Sequence, residues 1–171
     1  SFTGNMNALL SVFFAGGSVV TTDTFSPKIW LMLCNTYDIN TVYLLPTKLR
    51  LLLTRLRQDG TNKQQIPALQ TIFTGSQLLD KKLMDGLHLY FPEVDFILYY
   101  GASELNYITW CTATEWYAEP NTVGKPFPGI TLSIQDSQVF VETPYAVEGI
   151  QMPYSVGDEG WISETGRLMF K

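Results

Sequence analysis

The chain has 171 residues, 46% of them hydrophobic and 16% charged, a balance that can bury the core of one domain, or of one plus part of another, and that excludes intrinsic disorder. Its formal net charge of -5 lacks the basic footprint that sequence-independent phosphate binding requires, so no nucleic-acid partner is expected. Cys34 and Cys111 are too few and too far apart for a disulfide framework or a zinc cluster, and no apolar run approaches the roughly 20 residues of a membrane span.

Met6, Leu9, Leu10, Phe13 and Phe14 fall at helical spacing, and Gly16-Gly17 supplies a stop, which predicts a first helix. The β-branched run 18–22 predicts a short strand. Ser26-Pro27 reads as an N-cap followed by proline in the first turn, opening a helix to about Asn35. The unit then repeats in kind. A strand is expected at 41–45, then a helix from Pro46 with Leu49, Leu52, Leu53 and Leu56 on its inner face, ended by Gly60. Lys48, Arg50, Arg55 and Arg57 take its solvated side. A strand at 69–74, a helix over Leu79, Leu83 and Leu87, and a strand at 94–99 follow. This alternation predicts an α/β fold built on βαβ crossovers and a parallel sheet.

Beyond Glu119-Pro120 the helical period stops. Gly and Pro crowd 124–129, and short alternating segments at 130–134, 138–143 and 160–163 predict a small antiparallel β-barrel-like unit. A boundary near Asn121 divides the chain into an α/β subdomain, 1–120, and a β subdomain, 121–171. No signal peptide is visible, so a reducing, cytoplasmic location is expected. Ser1 is not a methionine and the chain stops on the apolar pattern Leu168-Met169-Phe170, so it is read as a fragment.

Tyr100-Gly101-Ala102-Ser103-Glu104 lies at the carboxyl end of a predicted buried strand, where open α/β sheets bind ligands. Gly101 and Ala102 let a ligand approach the backbone, Tyr100 offers an aromatic face to a flat base, and Glu104 offers oxygens suited to Mg2+. A plain strand-ending turn explains the same residues equally well. Ser76, Gln77 and Leu78 follow the preceding strand and form a second rim segment, or a simple turn into the next helix. Asp158, after Gly157, could accept from a vicinal diol or merely serve a turn. His88, the sole histidine, reads as a helix-surface residue, and no phosphate-cradling glycine loop or metal-spaced Cys or His set is present.

These pieces resemble the adenylate-forming superfamily of acyl-CoA synthetases, luciferases and peptide-synthetase adenylation domains, in order across almost the whole chain. Residues 100–104 are similar to its Tyr-Gly-x-Thr-Glu motif, Val123-Gly124-Lys125-Pro126-Phe127-Pro128-Gly129 to Val-Gly-x-Pro-x-Pro-Gly, and Tyr154-Ser155-Val156-Gly157-Asp158 to Tyr-x-Thr-Gly-Asp. The resemblance implies that Tyr100 stacks on adenine, that Ser76, Gln77 and Leu78 form the opposite wall, with Gly101 and Ala102 lining the nucleotide site, and that Ser103 lies near the phosphate. It further implies that Glu104 holds Mg2+ and Asp158 binds the ribose hydroxyls.

The implied activity is activation of a carboxylic acid with ATP and Mg2+ as its acyl-adenylate, followed by transfer to coenzyme A. The phosphate-loop region and the domain carrying the catalytic lysine would come from the rest of the parent enzyme, so this piece is not expected to turn over alone. Ser103 stands where the motif has Thr, Val156 replaces another Thr, and Leu98 occupies a place where relatives use an amide. Thr3 stands where amino-acid-activating members carry Asp, which favours an acid without an α-amino group. The alternatives are an adenylation domain loading a carrier protein, and a catalytically degenerate nucleotide-binding module.

Overall fold

The computed structural model describes residues 2–60, 66–75, 77 and 79–171, and for 2–5 the backbone alone. It is an α/β protein whose chain divides into two compact units, one of residues 12–96 and one of 1–11 with 97–171.

In the unit of 12–96, helix α2, Pro27–Thr36, starts with proline in its first turn as expected, although Ser26 makes no side-chain cap. Strand β1, Thr41–Tyr43, pairs in parallel with β2, Thr71–Gly75, through the crossover helix α3, Pro46–Gln58. Leu49, Leu52 and Leu56 are fully buried and Leu53 nearly so, as the helical spacing requires. Burying each stabilises the unit by about 1.5–3 kcal/mol. On the outer side of α3, Arg50 pairs with Asp80 at 2.6 Å and Arg55 with Asp59 at 2.7 Å, while Lys48 lies over the Phe25 ring. Helix α4, Lys81–Tyr90, is capped by Asp80, whose carboxylate accepts from the Leu83 N–H at 2.8 Å. Leu79 therefore lies ahead of this helix rather than in it. The expected strand at 18–22 is absent: Val20 is exposed, Val19 only half-buried, and β-branched residues do not make a strand without a partner to complete the ladder.

Helix α1, Phe2–Phe14, begins the other unit and ends at Gly16, whose φ of 73° is the expected left-handed stop. Strand β3, Asp95–Ala102, reaches this unit at Ile97 and pairs antiparallel with β4, Asn106–Thr112. Strands β5, Thr122–Pro126, β6, Thr131–Gln135, β7, Gln138–Glu142, β8, Tyr154–Ile162, and β9, Leu168–Phe170, complete an antiparallel array in the order β3-β4-β5-β9-β8-β7-β6. Its core is built from Leu105, Ile108, Val139, Val141 and Leu168, all fully buried, with Ile130.

Three elements here escaped the sequence reading, of which the first is strand β4, where no strand was expected. The Gly- and Pro-dense stretch holds strand β5, because Gly124 adopts φ 97° where a Cβ would collide with the Trp110 carbonyl of β4. Helix α5, Ala113–Ala118, is opened by a capping box in which Thr112 Oγ1 accepts from the Glu115 N–H at 3.2 Å, and Glu115 Oε2 from the Thr112 N–H at 2.9 Å.

Candidate functional site

Tyr100, Gly101 and Ala102 close strand β3, and Ser103 and Glu104 occupy the turn into β4, both exposed. The register slips between Tyr100 and Gly101, where the main chain of Asn106 and Tyr107 presses so close that a Cβ on Gly101 would overlap the Asn106 carbonyl oxygen. Asn106 itself adopts φ 61°, a left-handed conformation that Asn tolerates better than most residues. Its side chain accepts from Asn7 Nδ2 of α1 at 2.9 Å and donates to the Tyr145 carbonyl. The Val147 N–H donates to the Glu104 carbonyl at 2.8 Å. The turn that presents Ser103 and Glu104 is thus braced by α1 and by the 143–147 segment.

Asp158 lies within β8 rather than ahead of it. Gln138 pairs with Glu159 and Phe140 with Ser155, so Val156, Gly157 and Asp158 stand opposite Val139 alone. This bulge, with Gly157 at φ 81°, exposes Asp158. The carboxylate meets β3: the Tyr100 hydroxyl donates to Asp158 Oδ2 at 2.6 Å, the distance of a charge-assisted O–H···O⁻ bond. Burial, then the hydrogen bond and charge of Asp158, push the Tyr100 phenol well above its ordinary pKa, so it remains a donor throughout the physiological range. The Tyr100 ring also packs edge-on against Phe170 at 4.9 Å.

The structure therefore brings Tyr100, Gly101, Ala102, Ser103, Glu104 and Asp158 into one unit, with Tyr100 and Asp158 in direct contact. Gln77 is exposed in a bend after β2; Ser76 and Leu78 lie outside the described residues, as does the side chain of Thr3. Val156 packs on the antiparallel core, and Leu98 is buried, so both departures from the motif pattern fill apolar space. His88 is half-buried on α4, with Nδ1 3.2 Å from the Met84 carbonyl and its ring tilted on Phe96.

Among the described residues no group of three or more His, Cys, Asp or Glu could hold a metal ion. Glu104 therefore belongs to no cage of three or more such ligands among the described residues and offers hard oxygens. That suits Mg2+, which keeps several waters and takes one or two carboxylates together with substrate phosphates, and does not suit an all-protein metal cage. The Tyr100 ring and the Asp158 carboxylate likewise offer a stacking face and an acceptor for a nucleoside.

Sequence reasoning missed Asn106, whose partners Asn7 and Tyr145 are 99 and 39 residues away and leave no local signal. It also missed the clasp at α5, where Arg167 donates to Glu115 at 2.8 Å and to Glu119 at 3.2 Å. The Thr112-x-x-Glu115 spacing would have disclosed its helix.

Comparison with known proteins agrees with this architecture. The chain is 25% identical, over 93% of its length, to an uncharacterized acyl-CoA ligase, YhfT, of Bacillus subtilis, and spans 35% of that protein. O-succinylbenzoate coenzyme A synthetase (MenE) of Bacillus subtilis, solved in complex with ATP and magnesium ion, shares the fold over 98% of this chain and 38% of its own, with a TM-score of 0.85 and 18% identity. The inhibitor-bound N-terminal domain of FACL13 from Mycobacterium tuberculosis matches 99% of this chain and 47% of its own, with a TM-score of 0.85 and 11% identity. The chain thus spans about a third to a half of the relatives it matches. The family model for AMP-binding enzymes matches residues 1–150, and the chain belongs to that family.

Proposed function

We propose that this chain contributes the adenosine- and Mg2+-contacting part of a cytoplasmic ligase that activates a carboxylic acid with ATP as its acyl-adenylate, for transfer to coenzyme A. The observation that carries the reading is the convergence of Tyr100 and Asp158 at 2.6 Å. An aromatic ring and a carboxylate, 58 residues apart in sequence, meet there, which supports a reading in which one nucleoside touches both. In this reading Tyr100 stacks on adenine, Gly101 and Ala102 admit the ligand to the backbone, and Ser103 approaches the phosphate. Asp158 takes the ribose hydroxyls.

Glu104 is assigned to Mg2+. When bound, the ion neutralises phosphate charge that would otherwise repel an attacking carboxylate. The protein's own contribution is to hold the backbone of the turn from which the exposed Glu104 carboxylate projects, through the Val147 bond to its carbonyl and the bracing of Asn106. The chain covers 35% of its acyl-CoA ligase relative, so we assign the phosphate-loop region and the catalytic-lysine domain to other parts of the parent enzyme. Within this reading residues 1–120 form the α/β subdomain and 121–171 the small β subdomain. The buried cysteines, Cys34 and Cys111, each with its thiol pushed up to about 12 chiefly by burial, suit a reducing compartment.

The test is carboxylate-dependent exchange of pyrophosphate into ATP by the full-length protein, across a panel of acids. Exchange is expected with at least one acid, and Glu104→Gln should lower it on the order of a hundredfold while leaving the circular dichroism unchanged. No exchange with any acid, or full activity in the variant, would remove the assignment.

A further inference from the structure

The Tyr100 side chain has two separable parts. Its ring meets Phe170 edge-on, at 84° between planes, and its hydroxyl reaches past that contact to Asp158. The bond joins β3 to β8, strands that are not neighbours in the sheet. Asp158 sits on an exposed bulge beside a glycine with open space around it. A short carboxylate there has little else to hold its rotamer; its one described hydrogen bond is the one from Tyr100. That bond takes a single lone pair of Oδ2. Oδ1 and the second lone pair of Oδ2 stay available, which is what a vicinal diol needs if each hydroxyl donates to one carboxylate oxygen.

We propose that the Tyr100 hydroxyl is a positioning group that orients the Asp158 carboxylate for the ribose diol, so that preference for ribonucleotides depends on this phenol as well as on Asp158. The inference rests on the nucleotide reading above. The alternative geometry, in which the phenol occupies the place the ribose needs, predicts the opposite sign: removing the hydroxyl would then tighten binding.

Calorimetric titration of the full-length protein, in the presence of Mg2+ and without a carboxylic acid, with ATP and with the dideoxy analogue that lacks both ribose hydroxyls, separates the possibilities. Wild type should prefer ATP. Tyr100→Phe keeps the ring and should weaken ATP about tenfold, the worth of one charge-assisted hydrogen bond, while leaving the dideoxy analogue unchanged. In an Asp158→Ala background the Tyr100→Phe change should have no further effect on ATP. Equal weakening of both nucleotides would show a merely structural role; tighter ATP binding, or no change, would also overturn the proposal. Wild type that binds both nucleotides equally would refute it while leaving nucleotide binding intact. Wild type that binds neither would remove the nucleotide reading and this inference with it.

Discussion

The turn at 100–106 and the bulge at 156–158 each carry a glycine at the candidate site, and the two glycines are there for different reasons. Gly101 is required by space, since the Asn106 carbonyl occupies the position of a side chain. Gly157 is required by conformation, since its φ is 81° and no atom stands within 4 Å of an added Cβ. The first region is assembled from distant partners and is rigid by crowding. The second is open, and the carboxylate it carries takes its one described hydrogen bond from Tyr100. The candidate site thus joins one crowded wall, at Gly101, to one open wall, at Gly157 beside Asp158.

The largest expected effect sharpens that contrast. Gly101→Ala should cost about 3 kcal/mol or more, because the colliding atom is backbone and cannot rotate away. Gly157→Ala should cost about 1–2 kcal/mol, the price of a left-handed alanine. Urea midpoints of the two variants measure the difference, and equal losses would erase the distinction. Next is Asn106. Its replacement by Ala loses two side-chain hydrogen bonds and takes on the cost of φ 61°, whereas Gly loses the bonds alone. Asn106→Ala should therefore be the less stable by about 1 kcal/mol. Should Gly prove equal to Ala or worse, the left-handed backbone would not matter there.

The smallest effect lies away from both walls, at Arg167. The Glu115 carboxyl is held below its usual range first by the Thr112 N–H and then by Arg167, and that of Glu119 by Ser163 and Thr165 ahead of Arg167. Depressed folded-state values mean that this stabilisation is fully present above the unfolded value near 4.5 and is lost as the pH falls through the folded values. Arg167→Met should lower Tm by a few degrees at neutral pH, and the gap from wild type should narrow below about pH 4.5. A gap independent of pH would mean that Arg167 acts through packing alone.

Legibility in the sequence followed the same divide between local and distant causes. The leucines of α3, the proline starts of α2 and α3 and the alternation of β7 were readable because the period and the caps are written within one turn or one strand. Resemblance directed attention to Tyr100 and Asp158, and the structure brings these two into contact. Strand β5 was hidden because its glycine and prolines signal turns, and only the neighbouring strand gives Gly124 its reason. Residues 18–22 misled in the other direction, having strand composition without a ladder. Asn106 was silent for the same reason that β5 was: what it does is decided by residues far along the chain.

The bond between Tyr100 and Asp158 also sets an order of events. During synthesis Tyr100 leaves the ribosome 58 residues before its partner, so the phenol exists for an interval without the carboxylate it donates to. The link between β3 and β8 that this contact makes cannot form until Asp158 has emerged, and a chain interrupted between the two positions would carry the Tyr100 hydroxyl without its acceptor.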